Sequence, residues 1–162
     1  MNTFHSSFIE HQLSGRYICN AHIEPLLSAY NSIVIGHSEA GLPIHRICIG
    51  TGNIKLLMWS QMHGNESTTT KSVFDLLRYL QSDKDLLELL QLSIIPILNP
   101  DGAKSYTRFN ANQVDLNRDA IDLSQVESRI LRKEFDEFSP DYAFNLHDQR
   151  TIFGVEAKPA TL

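Results

Sequence analysis

The run His63–Gly64–Asn65–Glu66 sets an imidazole and a carboxylate three positions apart. Residues so spaced can close on one metal ion, and imidazole nitrogen with carboxylate oxygen suits zinc at about 2.0–2.2 Å. The plainer alternative is a helix start, with Asn65 as N-cap and Glu66 favouring the positive helix end. His147 can supply a third ligand. Two histidines and one glutamate are an established catalytic zinc set, in which the fourth position is kept for water. A single histidine at a strand end is more often structural, so the metal reading requires His147 to reach the other two. His5, His11, His22, His37 and His45 show no such convergence and read as surface or packing residues.

A polar stretch between Leu98 and Ser124 adds positive charge and amides. Arg118 can clamp a carboxylate through two parallel hydrogen bonds, and Asn117 can add an amide donor. Arg108 can stabilise negative charge developing on a carbonyl oxygen. Asp115 can accept a hydrogen bond from the His63 nitrogen that faces away from a metal. The alternative is that these arginines are solvated or paired with Asp115 and Asp119.

These residues need elements that bring them together. Residues 8–30 read as helix, broken near Ser14–Gly15, with Ile23, Leu26, Leu27 and Tyr30 at helical spacing. Ser32–His37 and Ile44–Gly50 are β-branched runs around Glu39–Pro43 and read as a hairpin. Ile54–Met62 reads as a strand buried on both sides, Glu66–Leu80 and Asp83–Leu90 as helices, and Leu92–Leu98 as a second buried strand. Ser124–Phe138 reads as an amphipathic helix and Pro140–Leu146 as a strand. The alternation of strand and helix indicates an α/β domain with a largely parallel central sheet and an antiparallel edge. His63, Asn99 and His147 each follow the carboxyl end of a strand, where open α/β sheets form their ligand sites, so all three should face one crevice. The 98–124 connection is too long for an ordinary loop and reads as functional.

With 42% hydrophobic and 20% charged residues, the 162-residue chain should fold around a packed core. Its net charge of −5 and lack of a basic stripe argue against nucleic acid or an anionic membrane as partner. Cys19 and Cys48 sit in apolar surroundings outside any C-x-x-C pair and read as two buried free thiols. No signal peptide and no apolar run near the roughly 20 residues of a membrane span are visible, so a cytoplasmic location is expected.

The segments Met62–His63–Gly64–Asn65–Glu66, Asn99–Pro100–Asp101–Gly102, Arg108, Val114–Asp119 and Asn145–Leu146–His147 together resemble the zinc carboxypeptidases of the carboxypeptidase A type. Order and spacing fit over about residues 30–150. The resemblance implies a three-layer α/β/α fold with a mixed sheet. It implies one zinc ion held by His63, Glu66 and His147, a substrate carboxylate held by Asn117 and Arg118, a scissile carbonyl polarised by Arg108, and His63 oriented by Asp115. The implied reaction removes a C-terminal residue from a peptide or cleaves a related amide, so the partner is a peptide or N-acyl amino acid with a free carboxylate.

Two departures from the pattern stand out. Asn65 replaces a substrate-binding arginine of the digestive enzymes, so their preferences do not transfer. The chain stops at Leu162, 15 residues past His147, and has no counterpart of the family's later general-base glutamate and capping tyrosine. Glu156 is the only nearby carboxylate. Residues 1–162 are therefore expected to form a single domain incomplete at its C-terminus, binding zinc with little or no turnover. Two alternatives are an amidohydrolase of the succinylglutamate desuccinylase and aspartoacylase type, and a non-catalytic zinc- or carboxylate-binding half-domain.

Overall fold

The computed structural model describes residues 6–148, together with the strand backbones at 153–155 and 158–160. Helix α1 (Asn20–Leu27) leads into strand β1 (Asn31–His37), which turns back as β2 (Pro43–Ile49). Strand β3 (Ile54–Trp59), helices α2 (Thr68–Ser82) and α3 (Lys84–Leu89), and strand β4 (Leu90–Ile95) follow. A short helix α4 (Pro100–Ser105) and a 3-10 turn (Leu116–Arg118) interrupt the next connection. Helix α5 (Val126–Phe138) then leads to β5 (Tyr142–Asn145). A separate antiparallel pair, β6 (Phe153–Val155) and β7 (Lys158–Ala160), ends the chain.

The main sheet has the order β1-β2-β4-β3-β5. β4, β3 and β5 run parallel, and the β1–β2 hairpin joins β4 antiparallel. The mixed sheet and antiparallel edge agree with the sequence pattern. Register matters most for function. Trp59 pairs with Ile95 on one side and with Asn145 on the other, so the carboxyl ends of β4, β3 and β5 are level. The residues that follow those ends emerge along one rim.

Helices cover both faces. Val73, Phe74, Leu77 and Leu80 recur along α2 at helical spacing and are buried with Ile23 of α1 and Ile94 of β4 in the larger core cluster. Each such burial contributes about 1.5–3 kcal/mol. The smaller cluster on the other face joins Ile44, Met62, Ile95, Leu98 and Leu116, with Trp59, Ile130 and Leu131 packed against it. Among the described residues no helix is long and apolar enough to cross a membrane.

Several boundaries differ from expectation. Only Asn20–Leu27 of the 8–30 region is helical. Gly15 takes φ +75°, outside helical space, and the backbone around it binds other elements: Arg16 O accepts from Ser67 Oγ and Ile18 O from Gln61 Nε2. Glu66 precedes α2 instead of lying in its first turn, because Ser67 is the N-cap. β3 ends at Trp59, and only Leu57 along it is fully buried. The neighbouring β5 is four residues long and exposes Tyr142 and Phe144, so it leaves part of β3 uncovered. Inside the 98–124 connection, Pro100 at the first helical positions and Asn99 as cap, its Oδ1 accepting from Gly102 N at 2.8 Å, start α4. Both cysteines are free, but Cys48 is only half-buried. His5 and Glu156 lie outside the described residues.

Candidate metal centre

His63 stands in a turn, closed by Glu66 N donating to His63 O at 3.0 Å, that follows β3 and precedes α2. Gly64 is required there by proximity and not by φ. A Cβ on it would overlap the Gly102–Ala103 peptide of α4. Asn99 fastens the same two turns, since its Nδ2 donates to Met62 O at 3.2 Å. Asn99 therefore follows a strand end as expected, yet it serves as a latch behind the site.

The turn points Glu66 at both imidazoles. His63 Nδ1 lies 2.8 Å from Glu66 Oε1, and His147 Nδ1 lies 2.8 Å from Glu66 Oε2. One ligand atom from each of His63, Glu66 and His147 lies within 4.8 Å of the others. The second His63 nitrogen, Nε2, is 3.0 Å from Asp115 Oδ1. The buried His63 ring thus meets a carboxylate at each nitrogen. Each carboxylate offers only acceptors, so the ring must carry two protons or turn a lone pair towards a cation beside Glu66. With Asp115 holding the proton on Nε2, the Nδ1 lone pair, the matching nitrogen of His147 and the Glu66 oxygens form a donor set that fits zinc.

The electrostatics favour charge here. Burial by itself would raise the Glu66 carboxyl, but hydrogen bonds from His63 and His147 outweigh it and hold the pKa at about 2. Burial likewise works against ionisation of Asp115, and hydrogen bonds from His63 and Arg108 pull its pKa down. Both carboxylates are therefore charged across the neutral range.

The remaining expected residues gather nearby. Arg108 does not point free into the site. Its Nε and Nη2 sit 3.0 and 2.9 Å from Asp115 Oδ2, with Nη1 3.7 Å from Glu66 Oε1. Asn117 N donates to Asp115 Oδ1 at 3.0 Å, and Arg118 N to Asp115 O at 2.9 Å, so Asp115 organises the 3-10 turn as well as His63. The Arg118 side chain is exposed, with Nη1 on Asn117 O at 3.1 Å. Asp119 pairs with neither arginine and accepts instead from the Ser124 hydroxyl and the Ser124 and Gln125 amides. Asn65 is not the α2 cap, and its buried Oδ1 has no protein partner among the described residues.

The sequence assigns no role to Gln61, or to Asn145 beyond its place in the Asn145–Leu146–His147 segment. Gln61 is fully buried at φ +44°, donates from Nε2 to Gly64 O at 2.6 Å, and accepts from Thr70 Oγ1 at 2.6 Å. A lone amide within the apolar Ile54–Met62 run was its available signal. Asn145 Nδ2 faces Asn117 Oδ1 at 3.4 Å. Its place two residues before His147 was a weaker one.

The zinc carboxypeptidase family model matches residues 20–147. Carboxypeptidase 2 of Trichophyton tonsurans is 35% identical over 100 residues, which cover 58% of this chain and 19% of that protein. This chain thus spans about a fifth of the length of the curated relatives it matches. Among solved structures, a metallo-carboxypeptidase from Pseudomonas aeruginosa in complex with (2-guanidinoethylmercapto)succinic acid superimposes with a TM-score of 0.71. It is 24% identical, and the match covers 82% of this chain and 40% of that one. The murein-tripeptide amidase of Escherichia coli O157 shares the fold at a TM-score of 0.55 and 18% identity, over 72% of this chain and 61% of its own. The level strand ends and the His63–Glu66–His147 convergence thus sit in a fold these proteins share, and the chain belongs to the zinc carboxypeptidase family.

Proposed function

We propose that residues 1–162 form a single zinc carboxypeptidase-like domain. In it His63, Glu66 and His147 hold one zinc ion for hydrolysis of the amide bond beside a free C-terminal carboxylate. The observation that carries this reading is the meeting of two imidazole nitrogens and one carboxylate within 4.8 Å. Zinc, when bound, supplies Lewis acidity towards a carbonyl oxygen and a water of lowered pKa.

The chain's own residues do the positioning. Asp115 keeps a proton on His63 Nε2 and so directs the Nδ1 lone pair at the metal position. Arg108, tethered to Asp115, presents its guanidinium beside Glu66, where it can stabilise a carbonyl oxygen gaining negative charge. Arg118 is exposed and Asn117 adjoins it on the 3-10 turn, where together they can take a carboxylate. Glu66 and Asp115 are both committed to imidazoles, and Asp148 Oδ2 accepts from Thr68 N at 3.4 Å. We assign the role of taking the water proton to none of these three.

The test is to measure zinc by elemental analysis in the purified protein and in His147→Ala. One equivalent in the first and none in the second is expected. Equal metal in both would overturn the ligand assignment. Comparing peptides with N-acyl amino acids as substrates of the longest available form then separates a carboxypeptidase from an amidohydrolase.

A further inference from the structure

Arg108 and Asp115 are ion-paired although six residues separate them, so the chain between them must fold back on itself. Backbone bonds close that turn: Asn110 N donates to Val114 O at 3.1 Å, and Gln113 N to Asn110 O at 3.0 Å. Gln113 takes φ +60°, where Cβ crowds the following carbonyl oxygen. The turn therefore gains from support outside itself, and the Asn110 side chain supplies it.

Asn110 is 1% exposed, and every hydrogen-bonding position of its amide is taken. Its Oδ1 accepts from Asn112 N at 3.1 Å and from Val114 N at 3.0 Å, inside the turn. Its Nδ2 donates to Gln125 Oε1 at 2.9 Å and to Glu127 Oε2 at 3.3 Å, outside it. The amide oxygen only accepts and the nitrogen only donates, so this set admits one orientation. Gln125 is the N-cap of α5, and Glu127 lies in its first turn. Glu127 is fully buried, and its Oε1 accepts from Glu39 N at 3.2 Å, while Glu39 Oε1 accepts from Val126 N at 2.7 Å. One side chain thus fastens the turn to the junction of α5 with the β1–β2 hairpin. Val114, held by Asn110, directly precedes Asp115, whose Oδ1 lies 3.0 Å from His63 Nε2.

We propose that Asn110 is a positioning residue: it anchors the 109–114 turn to α5, holds Asp115 against Arg108, and through Asp115 sets the His63 ring for a metal ion. The last clause rests on the function proposed above; the anchoring does not. Among the described residues Asn110 makes no hydrogen bond to His63, Glu66 or His147, so its effect on them passes through Asp115.

Asn110→Asp keeps the shape and the acceptor for the turn, but sets a carboxylate oxygen against Gln125 Oε1 and Glu127 Oε2. Adding Glu127→Gln exchanges amide and carboxylate across the pair and restores a donor between them. The first measurement is the Arg108 Nε–H resonance of the metal-free protein, identified by its loss in Arg108→Lys. It should be sharp in the unaltered chain, lost in Asn110→Asp and present again in Asn110→Asp/Glu127→Gln. The second is zinc affinity by chelator competition. Asn110→Asp should weaken it about tenfold, and Glu127→Gln should recover most of that loss. In an Asp115→Asn background, Asn110→Asp should change it by less than about twofold, because the route to His63 is already cut. Equal zinc losses in both backgrounds overturn the proposal, and so does an Arg108 resonance untouched by Asn110→Asp. If Asn110→Asp alone does not fold, the double variant decides: folded with the Arg108 signal it upholds the anchor, and unfolded it overturns it. If the Arg108 signal follows the expected order but the unaltered chain binds no zinc, the anchor stands and the metal reading falls.

Discussion

His63 and His147 meet the same carboxylate at the same distance, 2.8 Å, in opposite surroundings. The His63 side chain is 2% exposed and carries Asp115 on its far nitrogen. The His147 side chain is 36% exposed and follows the end of a four-residue edge strand. One half of the centre is built into the core, and the other is laid on its rim. The first ligand should therefore serve both fold and metal, and the second mainly metal. His63→Ala is expected to abolish stoichiometric zinc and to cost about 3–5 kcal/mol of metal-free stability, because the carboxylates of Glu66 and Asp115 lose the buried imidazole that joins them. His147→Ala should lose zinc equally but cost about 1–2 kcal/mol, the value of one charge-assisted hydrogen bond reduced by solvent screening at a side chain 36% exposed. Urea unfolding of both variants in chelator measures the gap, and equal losses would break the contrast.

Asp115 sharpens the same comparison, since only the buried histidine has such a partner. Asp115→Asn keeps the shape and removes the charge that holds His63 in one tautomer. Zinc affinity should fall about 10–100-fold, the usual effect of losing a ligand's orienting partner. Competition with a chromophoric chelator reads this directly. An unchanged affinity would mean that packing alone orients the ring.

The contrast also explains what the sequence could disclose. The strand ends were legible to within a few residues: apolar runs stop at His63 and Asn99, whereas β3 and β4 end at Trp59 and Ile95. The hairpin was legible from β-branched runs on either side of Gly41–Leu42–Pro43. The 8–30 region was misread because Ile23, Leu26 and Leu27 are helical, whereas upstream residues with similar spacing use their backbone groups on other elements. Glu10 N, for instance, donates to Asp75 Oδ1 at 2.7 Å across the fold. Helical propensity cannot reveal a long-range partner of that kind. For the site, residue types pointed to the ligand set, but the Asp115 tether on Arg108 was only one of two alternatives. The pairing of Trp59 with Asn145 depends on register between strands far apart in sequence, which no local pattern encodes.

A third carboxylate tests whether the 106–124 loop has structural anchors apart from the metal. Asp119 is buried. Burial would raise its pKa, but the Ser124 hydroxyl and the amides of Gln125 and Ser124 outweigh that and hold it at about 2, against an ordinary value of 3.8. A lowered folded-state pKa stabilises the protein above the unfolded value, and the contribution disappears as pH falls through the folded one. The shift corresponds to roughly 2 kcal/mol. Asp119→Ala should therefore be less stable by about that amount at neutral pH. The difference should begin to shrink below about pH 4 and be small near pH 2. Urea titrations across that range check the sign, and a gap that widens in acid would contradict it.

Arg118 lies at the other extreme from His63. Its side chain is exposed, and its guanidinium donates to the carbonyl of its neighbour, Asn117, at 3.1 Å. Among the described residues no core side chain hydrogen-bonds to it, so Arg118→Ala should change stability by no more than about 0.5 kcal/mol and leave zinc affinity untouched. An arginine that the fold does not need, held on a turn that Asp115 organises beside the metal ligands, is free to bind something else. The variant should then lose affinity for N-acyl amino acids by about tenfold while binding their α-amides as before, since only a carboxylate gains from the guanidinium fork. Equal losses for acid and amide would show that Arg118 supports the turn's shape, and the rim of this site would then be as structural as its base.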